Sequence, residues 1–173
     1  MKRFKSQTEK HWKSREINSG IYGFQIQPKT RWRPGLSEAE IDGFQRDLRV
    51  EFSRPLKIVL RHINGTDTPN LNVYGNSGES HRTRVSAYSY PTDLDLAKEL
   101  IAGVEGQRAD IKATLLEEGF DLKDNVSLVP FYLHRFVVCS QSEEYSPVLS
   151  IMGTDAIVYA PTLRSYLEVE FLT

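Results

Sequence analysis

Residues 126–159 read VSLVPFYLHRFVVCSQSEEYSPVLSIMGTDAIVY. Short apolar runs alternate in this stretch with turn residues, among them Pro130, Pro147 and Gly153-Thr154-Asp155. The runs cover residues 126–129, 136–138, 148–151 and 156–159. Short strands at this spacing, joined by tight turns, are typical of an antiparallel meander. We therefore predict four antiparallel strands in the last third of the chain.

Segments on either side of these strands have helical spacing. Residues 94–104 and 109–118 predict two helices, which Gly103 and Gly106 separate. A final helix over residues 162–171 presents its apolar residues on one face: Leu163, Tyr166, Leu167 and Phe171. Helices followed by an antiparallel sheet and a covering helix predict an α+β fold.

A capping box marks the start of an earlier helix. In Ser37-Glu38-Ala39-Glu40 the Ser37 hydroxyl can accept a backbone N–H, and the Glu40 carboxylate can reach back to the backbone of Ser37. Ile41, Phe44 and Leu48 follow at helical spacing. We expect Trp32, just before this helix, to pack near it.

A second helix is predicted to begin near Ser53 and Pro55, because proline is tolerated in the first turn. Asn64-Gly65 would end it, since both residues accept the left-handed conformation of a helix C-cap. Only a few residues separate this helix from the preceding one. The two are therefore expected to form an antiparallel hairpin that packs on a mostly antiparallel central sheet.

Length and composition indicate one domain over residues 1–173. Apolar residues make up 39% of the chain and charged residues 26%, which is an ordinary globular balance. The single cysteine, Cys139, cannot form an internal disulfide and fits a reducing compartment. No apolar segment follows the charged start of the chain, and no run approaches the roughly 20 residues of a membrane span. We expect a cytoplasmic protein.

Charge is distributed unevenly along the chain. Residues 1–33 contain nine Lys/Arg and two Glu, a net of +7, whereas the remaining residues have a net of −8. Residues 1–20 are interpreted as a basic extension ahead of a core over about 20–173. This segment either packs onto its own acidic body or binds a partner. Nucleic acid is not expected, because no binding motif is present and the acidic body would repel a duplex.

No catalytic or metal-binding motif is apparent. Phosphate-binding and nucleophile-elbow motifs are missing, and Cys139 lies in an apolar run where a thiol is typically inert. The four histidines are His11, His62, His81 and His134. His134 and Cys139 alone are too few for a metal site, which normally needs three or four ligands. The sequence therefore predicts no catalytic residue, metal or cofactor, and favours a binding protein over an enzyme.

The order of motifs resembles the SUKH (Smi/Knr-type) superfamily. The C-terminal third has a hydrophobic-Pro-aromatic strand, residues 128–132, then His134-Arg135, then Pro147-Val148-Leu149-Ser150. Trp32-Arg33-Pro34-Gly35-Leu36-Ser37 and Asn64-Gly65-Thr66-Asp67 match the family's N-terminal signature, and the similarity covers roughly residues 20–173. Two turns depart from the pattern: Ser53-Arg54 separate Phe52 from Pro55, and Ala160-Pro161 stand where the family often has glycine.

This resemblance implies an α+β fold with a central sheet and flanking helices. It also implies a class of partner, because bacterial members are immunity proteins that neutralise toxin domains, often nucleases, of intercellular competition systems. Fungal relatives are regulators and scaffolds, so a protein-binding role without a toxin is the alternative. No catalytic residue is attributed to the family. An acidic body fits the first reading, because nucleases that bind polyanions are usually basic.

Acidic residues on turns are the candidate contacts for such a partner. Glu143-Glu144-Tyr145 lie in the turn between two predicted strands and combine two charges with an aromatic. The other reading of this turn is a solubilising hairpin tip. A second group lies around the end of a predicted helix, where negative charge opposes the helix dipole. Its members are Glu117, Glu118, Asp121 and Asp124.

His134, Arg135 and Asp155 have two interpretations. They could line a polar pocket for a ligand. Alternatively, Arg135 beside one strand could reach Asp155 in the last turn and form a buried ion pair, which we favour because buried charges are usually paired.

Overall fold

The computed structural model describes residues 1–73, 81–82, 87–140 and 145–172. In these residues the chain is a mixed α+β structure with six helices and antiparallel sheets, and the predicted fold class is confirmed at that level. The helices are α1 Lys2–Lys13, α2 Glu38–Leu48, α3 Arg54–Leu60, α4 Leu94–Gly106, α5 Arg108–Glu117 and α6 Leu163–Leu172. The strands are β1 Gly23–Gln25, β2 Trp32–Pro34, β3 Ile63–Thr66, β4 Leu71–Val73, β5 His81–Arg82, β6 Ser127–Tyr132, β7 Arg135–Cys139, β8 Val148–Met152 and β9 Asp155–Ala160.

The four C-terminal strands form the predicted meander, in the order β6-β7-β8-β9. Every neighbouring pair is antiparallel. Alternation along the strands divides the side chains between two faces. Leu128, Phe136 and Leu149 pack with α4 and α5, whereas Val129 and Val137 pack with the other helices.

The remaining strands do not join this sheet. Among the described residues they form a three-stranded sheet, β1-β4-β5, and a two-stranded sheet, β2-β3. The central sheet predicted from sequence is therefore the largest of three. Ala87 forms an antiparallel bridge to Tyr132. Residues 89–93 form a turn, in which Asp93 N donates to Ser89 O at 2.8 Å.

The covering helix α6 presents the predicted face to the sheet. Leu163, Tyr166, Leu167 and Phe171 are all buried. Their spacing places them on one side of the helix, and Phe171 meets Tyr132 of the sheet with ring centroids 5.0 Å apart. Burial of this face explains why the helix lies across the meander.

The N-terminal helix α1 packs into the same core. Trp12 is completely buried, and its ring lies 5.1 Å from that of Trp32 and 6.0 Å from that of Phe171. Trp32 Nε1 donates to Thr8 Oγ1 at 2.8 Å. Helix α1 is therefore attached by apolar and aromatic contacts, and Trp32 packs against α1 and α6.

Helix α2 begins with the predicted capping box. Glu40 N donates to Ser37 Oγ at 3.3 Å, and Ser37 N donates to a Glu40 carboxylate oxygen at 2.8 Å. Glu38, the first residue of α2, forms an ion pair with Arg61, which follows α3. That contact is expected of two helices that run in opposite directions.

Ser37→Ala is expected to lower the free energy of unfolding by about 1 kcal/mol, because an N-terminal backbone N–H of α2 loses its acceptor. The measurement is the urea midpoint and slope of wild type and variant. Ser19→Ala, at an exposed position outside the helices and strands, is the control. Equal losses for the two variants would contradict a stabilising cap.

Asn64 and Gly65 do not cap the second helix, so that prediction is wrong. Helix α3 ends at Leu60, and both residues lie in β3. The Leu60 carbonyl accepts Leu36 N at 2.8 Å, which ties the helix end to the neighbouring turn. Gly35 permits this close approach, because a Cβ there would lie 2.3 Å from the Arg61 backbone. Tertiary contacts therefore end the helix before its apolar pattern does.

Both residues have other structural roles. Asn64 Nδ2 donates to Tyr90 O at 2.7 Å, and Tyr90 N donates to Asn64 Oδ1 at 2.8 Å. Gly65 has a φ of +74°, and a Cβ there would lie 2.8 Å from Ala87 O. The pair joins β3 to residues 87–90.

Candidate protein-interaction surfaces

The loop between β7 and β8 is described from Tyr145 onward. Tyr145 is 62% exposed, so its ring has no place in the core. The next residue, Ser146, is buried, and its Oγ donates to Ser53 Oγ at 2.6 Å, which fastens the end of the loop to the start of α3. Glu143 and Glu144 lie outside the described residues. Tyr145 is thus an accessible aromatic next to Ser146, which the bond to Ser53 holds in place.

The second acidic group lies where α5 ends. Glu117 is the last residue of the helix and Glu118 is its C-cap, and both are exposed. Gly119, with a φ of +83°, reverses the chain. Its N–H donates to Leu116 O at 3.0 Å, and Phe120 N donates to Leu115 O at 2.8 Å. These bonds satisfy carbonyls in the last turn of α5 and fix the backbone at Glu117 and Glu118.

Two members of that group already have cationic partners. Asp121 pairs with Lys123, and Asp124 pairs with Lys112 of α5. The hydrogen bond from Lys112 lowers the pKa of Asp124. Among the described residues, neither Glu117 nor Glu118 has an ion pair. The acidic group predicted over residues 117–124 is therefore divided into two paired carboxylates and two that have no ion pair among the described residues.

An exposed leucine adjoins these carboxylates. Leu116 is 62% exposed, although Ile111 and Leu115 of the same helix are buried. Leu116 was not predicted from the sequence. Its position next to the buried stripe, rather than on it, was the available signal. We call Leu116, Glu117 and Glu118 the α5-end surface.

The predicted ion pair between Arg135 and Asp155 is absent. The Arg135 guanidinium carbon lies 3.9 Å from the centre of the Tyr159 ring, and Nη1 donates to Ser150 Oγ at 2.8 Å. Asp155 is exposed at the turn between β8 and β9, opposite Met152.

The strand register explains why Arg135 does not pair with Asp155. Arg135 is paired with Ser150, and Ser150 with Ile157, so Asp155 lies toward the exposed end of the sheet. Tyr159 lies the other way, where its ring meets that of Tyr166 in α6 at 5.8 Å. A guanidinium over a partly desolvated ring gains cation–π attraction, whereas the exposed carboxylate keeps its hydration.

The side chain of His134 lies apart from those of Arg135 and Asp155. It lies in the turn between β6 and β7 and lines a groove of about 430 Å³ with Phe24 and Tyr88. Burial, with a smaller contribution from the neighbouring Arg135 charge, lowers the pKa of His134. Arg135 faces α6 on the opposite side of the sheet, so the three residues do not form one pocket.

Cys139 is buried near the end of β7. Burial raises the pKa of its thiol to about 11, so the side chain is protonated at neutral pH and is a poor nucleophile. Within the described part of the chain, no cluster of three or more His, Cys, Asp or Glu side chains could hold a metal ion.

No family model matches the chain, and no curated protein is significantly similar to it. In the part of the chain that the structure describes, none of the helices has the length and apolar character that crossing a membrane requires.

Proposed function

We propose that this chain is a cytoplasmic immunity protein of the SUKH type, which binds and neutralises a nuclease toxin domain of an intercellular competition system. The support is the motif order quoted above, together with the α+β arrangement. The observation that carries the proposal is the α5-end surface, where an exposed leucine adjoins two carboxylates that form no ion pair with any described residue.

This surface suits a basic partner. A nuclease site must attract phosphate, so its rim is positive, and two uncompensated carboxylates would steer the proteins together. Leu116 would supply apolar contact that excludes water around the charges. A stable interface buries about 1,200–2,000 Å² in total, so the α5-end surface would be the centre of a larger contact.

The test begins with the product of the neighbouring gene. It is co-expressed with this chain, the complex is purified, and nuclease activity is measured with and without the chain. Co-purification with loss of nuclease activity is the expected result. A stable complex with a protein that has no toxic activity would replace the proposal with the scaffold alternative.

Glu117→Lys/Glu118→Lys is expected to slow association with that toxin at least about tenfold at low salt, because electrostatic steering acts on the on-rate. The difference should shrink as salt rises and screens the charges. Stopped-flow association at several salt concentrations measures it.

Two further variants locate the contact. Glu99→Lys/Asp42→Lys makes the same charge change at exposed positions on other helices and should leave most of the rate intact. Glu143→Lys/Glu144→Lys makes it in the loop next to Tyr145. If only this last variant slows association, the contact lies on that loop and not on the α5-end surface.

A further inference from the structure

A basic groove lies between α1 and the loop that precedes β2. It has a volume of about 380 Å³, and its cationic lining comes from Lys10 and Lys13 of α1 and from Lys29 and Arg31 of the loop. All four side chains are exposed. We call this feature the basic groove.

Backbone and core contacts hold its two walls together. Lys29 N donates to Trp12 O at 3.0 Å, so the loop returns to the end of α1. Trp12 itself is buried beneath the groove, against Trp32. The two backbone segments that carry the four cations are therefore held side by side.

None of these cations is neutralised within the described chain. Every ion pair found there joins residues between Glu38 and Glu168, and none uses a cation of residues 1–33. Two carboxylates lie close by, but both accept backbone N–H groups: Glu9 from Trp32 at 3.1 Å, and Asp67 from Arg31 at 2.8 Å. Four cationic side chains and one carboxylate, Glu9, line the groove, so its lining has an excess of positive charge for a polyanion.

The surroundings of the groove favour phosphates over a protein. A protein interface needs a desolvated apolar centre with aromatic anchors. Among the described residues that line the groove, none has a large apolar side chain. Lysines without apolar anchors are suited to a phosphate backbone, where charge alone supplies affinity.

Two exposed aromatic residues lie on the segment of chain that joins α1 to the loop of the basic groove. Tyr22 is 76% exposed and Phe24 is 43% exposed, and both lie between α1 and Lys29 in the sequence, outside the lining of the basic groove. Phe24 lines the groove that contains His134. Proteins that hold single strands combine a cationic groove with aromatic side chains on which bases stack. We infer that the basic groove binds the phosphate backbone of single-stranded nucleic acid.

The acidic body does not prevent this. Charges more than about 10 Å apart are largely screened at 0.1 M salt, so the immediate surroundings of the groove decide. A duplex would also extend over the acidic body, whereas a flexible single strand can follow the groove alone.

The experiment measures fluorescence anisotropy of labelled, mixed-sequence single strands of about 16 nucleotides, as DNA and as RNA, with the full chain. Four phosphate contacts predict a slope of log affinity against log salt of about −3, or a loss of about 50-fold between about 50 and about 200 mM salt. Lys10→Gln/Lys13→Gln/Arg31→Gln should reduce the slope to about −0.7. Arg46→Gln/Arg54→Gln/Lys98→Gln, three exposed cations without ion pairs elsewhere, should retain the wild-type slope.

Several results would overturn the inference. One is the absence of binding to any strand at about 50 mM salt, where electrostatic affinity is large. Another is an equal loss for the two triple variants, and a third is tighter binding to the matching duplex. Displacement by poly-glutamate at equal charge would assign the groove to an acidic protein. Circular dichroism of each variant confirms that a loss is not unfolding.

Discussion

Replacing Trp12 with alanine is expected to lower the free energy of unfolding by about 3–5 kcal/mol, the usual cost of removing a buried aromatic. Trp12 is completely buried, and its ring contacts those of Trp32 and Phe171. Its removal would leave a cavity where α1, β2 and α6 meet. Urea denaturation followed by circular dichroism measures the change.

Lys10→Ala is the matched control for Trp12→Ala, because it lies on the exposed side of the same helix. It should change stability by no more than about 0.5 kcal/mol. If Trp12→Ala is equally harmless, α1 does not belong to the cooperative unit. A large loss would instead make α1 part of the cooperative unit.

Asn64→Ala should cost about 2–4 kcal/mol, because it leaves the partly buried N–H and C=O of Tyr90 without their partners. The Asn64 side chain is the link between β3 and residues 87–90, through bonds of 2.7 and 2.8 Å. Chemical denaturation gives the value.

Asn64→Asp separates the two bonds. The carboxylate still accepts from Tyr90 N but cannot donate to Tyr90 O, so an intermediate loss is expected. Asn125→Ala, at an exposed asparagine, is the control. If Asn64→Ala matches this control, the bonds contribute nothing to stability.

Patterns that depend on local physics were predictable from the sequence. The meander follows from short apolar runs separated by tight turns, and the buried face of α6 follows from helical spacing at Leu163, Tyr166, Leu167 and Phe171. The capping box at Ser37 and Glu40 depends only on residues three apart in the sequence. None of these features needs information about distant residues.

Features that depend on distant partners were not predictable. Asn64-Gly65 has the composition of a C-cap, but α3 ends before these residues. There Leu36 N donates to the Leu60 carbonyl, and Gly35 packs against the Arg61 backbone. Arg135 had two possible partners on β9, and the strand register selected Tyr159 over Asp155. The acids after α5 form a run in sequence, yet Lys112 and Lys123 neutralise Asp124 and Asp121 and leave Glu117 and Glu118.

The contact between Trp12 and Trp32 makes the protein its own spectroscopic reporter. They are the only two tryptophans of the chain, and their rings lie 5.1 Å apart. Tryptophan emission excited at about 295 nm therefore reports on one place, the contact between α1 and the core. A red shift that precedes the loss of far-ultraviolet ellipticity would mean that α1 detaches while the four-stranded sheet is still intact. The same emission will be insensitive to a partner that docks at the α5-end surface.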